Sequence, residues 1–212
     1  LTTGRLQKFG NYDFFQNMQI LTPTKKGPLG TRELNKTLQN YINPENKSKK
    51  EKKFGEITFR EGDRVMQIKN NYDIFWDREI LGVYENSTGV FNGEIGRIEK
   101  IDLSEKQLKV VFDDEKNVWY QFQELDQLEL AYAITIHKSQ GSEFDVVIIA
   151  VPQTAPMLLT RNLLYTAITR AKKLLIILGG KNTIDFMIQN VDSKKRNTGL
   201  KIKVEHLLNG DN

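Results

Sequence analysis

Hydrophobic and polar residues alternate in two different rhythms along this chain. Met18 to Thr22 is a short, strand-sized run that stops at Pro23, which has no N–H for a ladder. Thr31 to Tyr41 then carries Leu34, Leu38 and Tyr41 at helical spacing, behind the turn Gly27-Pro28-Leu29-Gly30. Towards the other end, Leu128 to Ile134 and Val146 to Val151 read as buried strands and Leu174 to Leu178 as a third. Arg161 to Ala171 reads as a helix with Leu164, Ile168 and Ala171 on one face, and Thr183 to Val191 as a closing helix. Nearly all-apolar strands that alternate with helices predict an α/β fold, a parallel sheet covered on both faces.

The texture between these parts is different. Residues 43–53 are polar and rich in lysine, which predicts a solvated linker. From Phe54 onward, short β-type runs follow one another at Arg64–Ile68, Gly96–Ile101, Leu108–Phe112 and Val118–Phe122. Turn signals stand at Asn70-Asn71, Asn92-Gly93 and Asp113-Asp114. About five short strands in so short a stretch suit a small β-barrel of SH3-like type. The predicted organisation is therefore a barrel over residues 55–126, inserted into a discontinuous domain of residues 1–54 and 127–212.

Charge sharpens that division. Residues 56–126 hold 9 Lys and Arg against 16 Asp and Glu, whereas the rest of the chain holds 22 against 11. A basic body with an acidic insert suits a polyanionic partner such as nucleic acid, met by the body rather than by the whole insert. The chain has no cysteine and only two histidines, His137 and His206, far apart, which argues against disulfides and a zinc site. No apolar run reaches the roughly 18 residues of a membrane helix, so the sequence predicts no membrane partner and a cytoplasmic location.

Polar, chemistry-bearing residues gather at the ends of the predicted buried strands, where α/β sheets put their ligands. Thr135-Ile136-His137-Lys138-Ser139-Gln140-Gly141-Ser142-Glu143 packs hydroxyls, a cation, an amide, a glycine and a carboxylate between two apolar strands. Such a glycine-containing turn can aim backbone N–H groups at a phosphate. Arg170 falls near a helix C-terminus just before a strand, where a rigid arginine can point into an interdomain cleft. The same position also suits an arginine that merely complements the helix dipole.

The strings AYAITIHKSQGSEFD (131–145) and RNLLYTAITRAKK (161–173) resemble motifs V and VI of superfamily-1 helicases of the RecD-like branch. LTPTKKGPLGTRELNKTLQ (21–39) resembles that branch's motif IV region, and GDRVMQIKNNYD (62–73) with VFNGEIGRI (90–98) resembles its inserted SH3-like barrel. The resemblance implies a RecA-like second motor domain, with Arg170 as the arginine finger that meets the γ-phosphate of ATP. It implies nucleotide contacts for Gln140, Gly141 and Glu143, the last towards the ribose. Thr135, His137 and Lys138 would touch the single-stranded DNA backbone. Lys26 and Arg32 compete for the basic role of motif IV, although a solvated lysine and an ordinary helix arginine explain them equally well. In the barrel, Tyr72, Phe91 and Asn92 are candidates for stacking and hydrogen bonds to DNA; Phe75 and Trp76 read better as core.

No G-x-x-x-x-G-K-[ST] phosphate loop occurs in the chain. Together with the start at Leu1, this predicts a piece of a longer helicase, inactive alone. Its ATP and Mg²⁺ would be held mainly by an N-terminal motor domain of the same parent. Other subunits of a recombination nuclease complex are a further partner class that the resemblance implies, as is 5′-to-3′ movement. A hydrolase reading of Ser139 fails because G-x-S-x-G needs glycine where His137 stands. The rival reading is a DNA- or protein-binding module derived from a helicase, its motor motifs retained without catalysis.

Overall fold

The computed structural model describes residues 10, 12–153 and 156–191. His206 and the remaining residues of the expected first and last segments lie outside these. Asp13 caps a one-turn helix, α1 (Phe14–Asn17), by accepting the N–H groups of Phe15 and Gln16 at 2.8 and 3.2 Å. The chain enters β1 (Met18–Thr22) directly, with every residue buried. After α2 (Thr31–Ile42) come the hairpin strands β2 (Glu51–Phe54) and β3 (Ile57–Arg60). Next are β4 (Arg64–Gln67), β5 (Asn71–Ile80), β6 (Val83–Val90), β7 (Ile95–Asp102), β8 (Gln107–Phe112) and β9 (Asn117–Gln121). A 3₁₀ segment (Phe122–Gln127) leads into β10 (Leu128–Leu130) and β11 (Ala133–Thr135). The described residues close with β12 (Phe144–Ala150), α3 (Arg161–Ile168), β13 (Ala171–Leu178) and α4 (Lys181–Gln189).

Two sheets carry the architecture. Four strands in the order β11-β1-β12-β13 form the parallel sheet, and every neighbouring pair is parallel. Val146 to Ala150 of β12 are buried, which is why that strand reads as unbroken apolar sequence. Seven strands form the SH3-like sheet in the order β10-β4-β7-β8-β9-β5-β6. Here β8 alternates buried and half-buried residues, the period-two signature of a sheet with one covered face. No pairing joins β10 to β6 among the described residues, so the ladder runs from one to the other.

Three elements depart from the sequence expectation. The lysine-rich stretch ends in a strand rather than a loop, because Lys52 lays its ammonium 4.5 Å above the Phe122 ring and Phe54 packs on the core. The long β5–β6 hairpin follows straight after the Asn70-Asn71 turn signal. It turns at Leu81 and Gly82, both at positive φ, and is mostly exposed, so it shows no alternation to read. The single apolar run 128–134 is two strands in two different sheets, joined through Ala131 and Tyr132.

That joint is pinned from several sides. Asn35 of α2 donates to the carbonyls of Leu130 and Ala133 at 2.9 and 3.0 Å and accepts the Ala133 N–H at 2.7 Å. The Tyr132 hydroxyl donates to Asp63 at 2.8 Å, a wholly buried carboxylate that also receives Gln39 (2.6 Å), Asn43 (2.7 Å) and the Arg60 N–H (2.7 Å). Burial pushes the Asp63 carboxyl above its usual range despite these four donors, and burial together with the Asp63 charge raises the Tyr132 hydroxyl. One hydrophobic core runs through both sheets, from Met18, Ile20, Val146 and Ile148 to Val65, Ile98, Val110 and Tyr120. No helix among the described residues is long and apolar enough to cross a membrane.

Candidate nucleotide and strand-binding site

The segment from Thr135 to Glu143 is shaped by its own polar residues. Thr135 ends β11, and its hydroxyl accepts the Lys138 N–H at 3.3 Å, capping a 3₁₀ turn over Ile136–Ser139. Ser139 is fully buried and donates to the Ile136 carbonyl at 2.7 Å. A type II turn follows: the Ser142 N–H meets the Ser139 carbonyl at 3.1 Å, with Gln140 at φ −63°, ψ 130° and Gly141 at φ +89°. The positive φ, not lack of room, asks for glycine, since nothing stands within 4 Å of where a Cβ would be. His137, Gln140 and Glu143 consequently face solvent.

Because all four strands run the same way, the sheet has two distinct ends. Thr135 pairs with Thr22 at the C-terminal end, and Phe144 pairs with Ala171 at the N-terminal end. The loop 136–143 crosses from one to the other. At the N-terminal end Arg170 is half-buried. Its Nε donates to the Thr166 carbonyl (3.2 Å), Nη1 to the Ser142 carbonyl (3.1 Å) and Nη2 to Thr169 Oγ1 (3.1 Å). Nearby, Glu143 lies 3.5 Å from Lys172. A cavity of about 380 Å³ opens there, lined among others by Gln16, Arg64, Asp113, Ser142, Glu143 and Lys172. Arg64 is buried in its wall. Its guanidinium donates to the carbonyls of Phe14 and Phe15, and burial lowers its pKa.

Thr135 and Lys138 occupy the opposite end. Lys138 donates to Glu129 of β10 at 2.8 Å, and Lys25, in the loop after β1, reaches the same carboxylate at 3.4 Å. Burial opposes the Glu129 charge, but the two lysines outweigh it and hold the carboxyl below its usual range. The structure does not bring Lys26 or Arg32 to Arg170. Both follow β1 and emerge at the C-terminal end with Lys138; Lys26 is exposed, and exposed Arg32 lies 3.8 Å from Glu56. A basic residue after one strand of a parallel sheet stands at the end away from one that precedes another strand of that sheet, and strand direction is invisible in a motif string. Gln16 of α1, before β1, stands at the Arg170 end instead. Glu129 and Lys25 escaped the sequence reading because their pairing is between sheets.

On the SH3-like sheet, the sequence candidates do meet. Tyr72 and Phe91 form an edge-to-face pair with centroids 5.6 Å apart, 65% and 43% exposed. Asn70 donates to the Tyr72 hydroxyl at 3.3 Å and accepts the Asn92 N–H at 2.9 Å, so Tyr72 and Asn92 share one support. Trp76 packs half-buried on the core beneath Arg78 and Lys116, as expected, whereas Phe75 is exposed rather than core.

Residues 34–112 match the ATP-dependent RecD-like DNA helicase SH3 domain, and residues 130–178 match the UvrD-like helicase C-terminal domain. The chain carries a RecD-like helicase SH3 domain and a UvrD-like helicase C-terminal domain. The ATP-dependent RecD2 DNA helicase of Deinococcus radiodurans is 37% identical over 155 residues, 73% of this chain and 19% of that protein. RecBCD enzyme subunit RecD of Haemophilus influenzae is 28% identical over 195 residues, 91% of this chain and 26% of that protein. The chain thus spans about a fifth to a quarter of these relatives' length. Among solved structures, the Pif1 helicase from Bacteroides in complex with ADP-AlF3 and ssDNA shares the fold. Its TM-score is 0.55 at 18% identity, over 99% of this chain and 48% of that one.

Proposed function

We propose that this chain is the C-terminal motor part of an ATP-driven DNA helicase, acting with an N-terminal motor domain of the same parent that holds the phosphates of ATP and its Mg²⁺. The observation that carries the reading is the loop 136–143. One end is tied to Arg170 through Ser142, and the other presents His137 and Lys138, beside the buried cap Thr135, at the far end of the sheet. A guanidinium has five N–H donors, and three of Arg170's N–H directions are committed to its own chain, leaving capacity for phosphate oxygens. Arg170 would stabilise charge on the phosphoryl group as it leaves, and Glu143, one residue beyond Ser142, would accept from the ribose hydroxyls. Displacement of Arg170 by a nucleotide would pull on the same loop that touches the strand, which is the coupling that a translocating motor requires.

Single-stranded DNA is the proposed track, met by Thr135, His137 and Lys138 and, on the SH3-like sheet, by Tyr72, Phe91 and Asn92. The name of the Deinococcus relative supports ATP as fuel, and the RecBCD subunit names support partner subunits. The 5′-to-3′ direction rests on the resemblance to the RecD-like branch. The test is DNA-stimulated ATP hydrolysis by the complete natural protein and its Arg170→Ala variant. The expected loss in kcat is roughly a thousand-fold, the scale of an arginine finger, with the fold intact. An unchanged rate removes Arg170 from the mechanism, and hydrolysis absent from the complete protein favours a non-catalytic binding module.

A further inference from the structure

Lys25 and Lys138 belong to different loops, yet each takes one oxygen of the same carboxylate: Lys138 Nζ lies 2.8 Å from Glu129 Oε2 and Lys25 Nζ 3.4 Å from Glu129 Oε1. Two ammonium groups on one carboxylate repel one another, and an anion between them offsets that repulsion. A DNA phosphodiester is such an anion, with two non-bridging oxygens that can each meet one lysine. Glu129 itself comes from the other sheet. Its backbone is fixed by the pairing of β10 with β4, opposite Met66, while its side chain is more than a third exposed, with solvent on one side of it.

We propose that Lys25 and Lys138 form a seat for one phosphate of the single strand, and that Glu129 is a built-in occupant of that seat which the strand must displace. This rests on the reading of Thr135–Lys138 as the strand-facing part of the loop. The carboxylate lowers the charge of the seat from two positive to one. It keeps the lysines gathered when no strand is bound and weakens the grip when one is. A motor that releases and regains phosphates at every step needs a grip of that intermediate kind. The path continues along β10 towards the exposed aromatics: Gln127, two residues before Glu129, accepts from Asn71 at 3.0 Å, next to Tyr72.

The experiment measures binding of a labelled oligothymidylate to the complete natural protein by fluorescence anisotropy, across a salt titration. Each phosphate contact to a single strand contributes about 0.7 to the slope of log affinity against log salt. Glu129→Gln is expected to tighten binding several-fold at low salt and steepen the slope by about that amount. Lys25→Ala and Lys138→Ala are each expected to weaken binding and flatten the slope, and the double variant Lys25→Ala/Glu129→Gln to return close to the unmodified protein. Glu79→Gln, an equal charge change at an exposed site on the β5–β6 hairpin, serves as control and is expected to change neither. If Lys138→Ala weakens binding while Glu129→Gln leaves it unchanged or weaker, the seat is wrong and the strand-facing reading stands. A gain as large from Glu79→Gln also overturns the seat. If Lys138→Ala has no effect, the strand-facing reading itself fails.

Discussion

Arg170 donates from Nη1 to the main-chain carbonyl of Ser142 at 3.1 Å, so the residue that follows α3 is fastened to the turn that precedes β12. The main chain repeats the link in the other direction, since the Phe144 N–H meets the Arg170 carbonyl at 2.9 Å. The position of the guanidinium is thereby a property of the turn 139–142, and the turn depends on one glycine.

Gly141→Ala is therefore expected to act through conformation. A Cβ meets nothing there, but φ +89° costs an alanine about 1–2 kcal/mol. Thermal unfolding should shift down by a few degrees. DNA-stimulated ATP hydrolysis should fall further than that shift explains, because Ser142 moves with the turn. A variant with unaltered melting and unaltered hydrolysis would refute the dependence.

Asp63→Asn replaces an acceptor of four hydrogen bonds by a group that must turn an NH₂ towards one set of donors. A loss of about 2–4 kcal/mol is expected, measurable by urea unfolding. The pH dependence has a definite sign. The folded pKa of Asp63 lies above its unfolded value, so its contribution is fully present below about pH 4 and declines as pH rises through the folded pKa. Asp63→Asn should lack that decline, and the difference between the two pH profiles is the readout.

Glu129 shows the opposite sign. Its folded pKa is lowered, so the stability from its ion pairs is present above the unfolded value near pH 4.3 and disappears as pH falls through the folded pKa. For so exposed a pair the amount is at most about 1 kcal/mol. The gap in stability between the unmodified protein and Glu129→Gln should close on acidification; a gap that is constant from pH 7 to about pH 3 contradicts the ionic origin.

Tyr72→Ala and Phe91→Ala are each expected to weaken single-strand binding by about 1–3 kcal/mol, the scale of a base on an aromatic platform. Neither changes charge, so the salt slope should stay as it was. A changed slope, or binding equal to the unmodified protein, counts against stacking there.

The parallel sheet was legible because its strands are nearly uniformly apolar, and the SH3-like strands β7, β8 and β9 because one covered face imposes alternation. The β5–β6 hairpin was not, since both of its faces meet solvent over most of its length and nothing enforces a pattern. The run 128–134 hid a change of sheet because Leu128, Leu130, Ala131, Tyr132 and Ile134 are buried on either side of the joint, and burial alone leaves the same imprint in both sheets. Among the site candidates, Tyr72, Phe91 and Asn92 proved to be neighbours, and Thr135 and Lys138 share one turn. Lys26 and Arg32 lie at the far end from Arg170 because a motif string carries residue order but not the direction in which its strand runs. Glu129 had no local signal at all: its meaning comes from a lysine nine residues on and another in a separate loop.

The joint at Ala131 and Tyr132 has a mechanical consequence. An inserted module on flexible tethers would lag behind the body that carries it and lose part of each stroke to its own swing. Here the shared core and the Tyr132–Asp63 hydrogen bond leave no such slack, so in the proposed motor the aromatic pair on the SH3-like sheet and the lysines beside β11 would advance by equal increments. On that reading the insert would serve as a second foot of the same leg, its contacts at a constant spacing from the first.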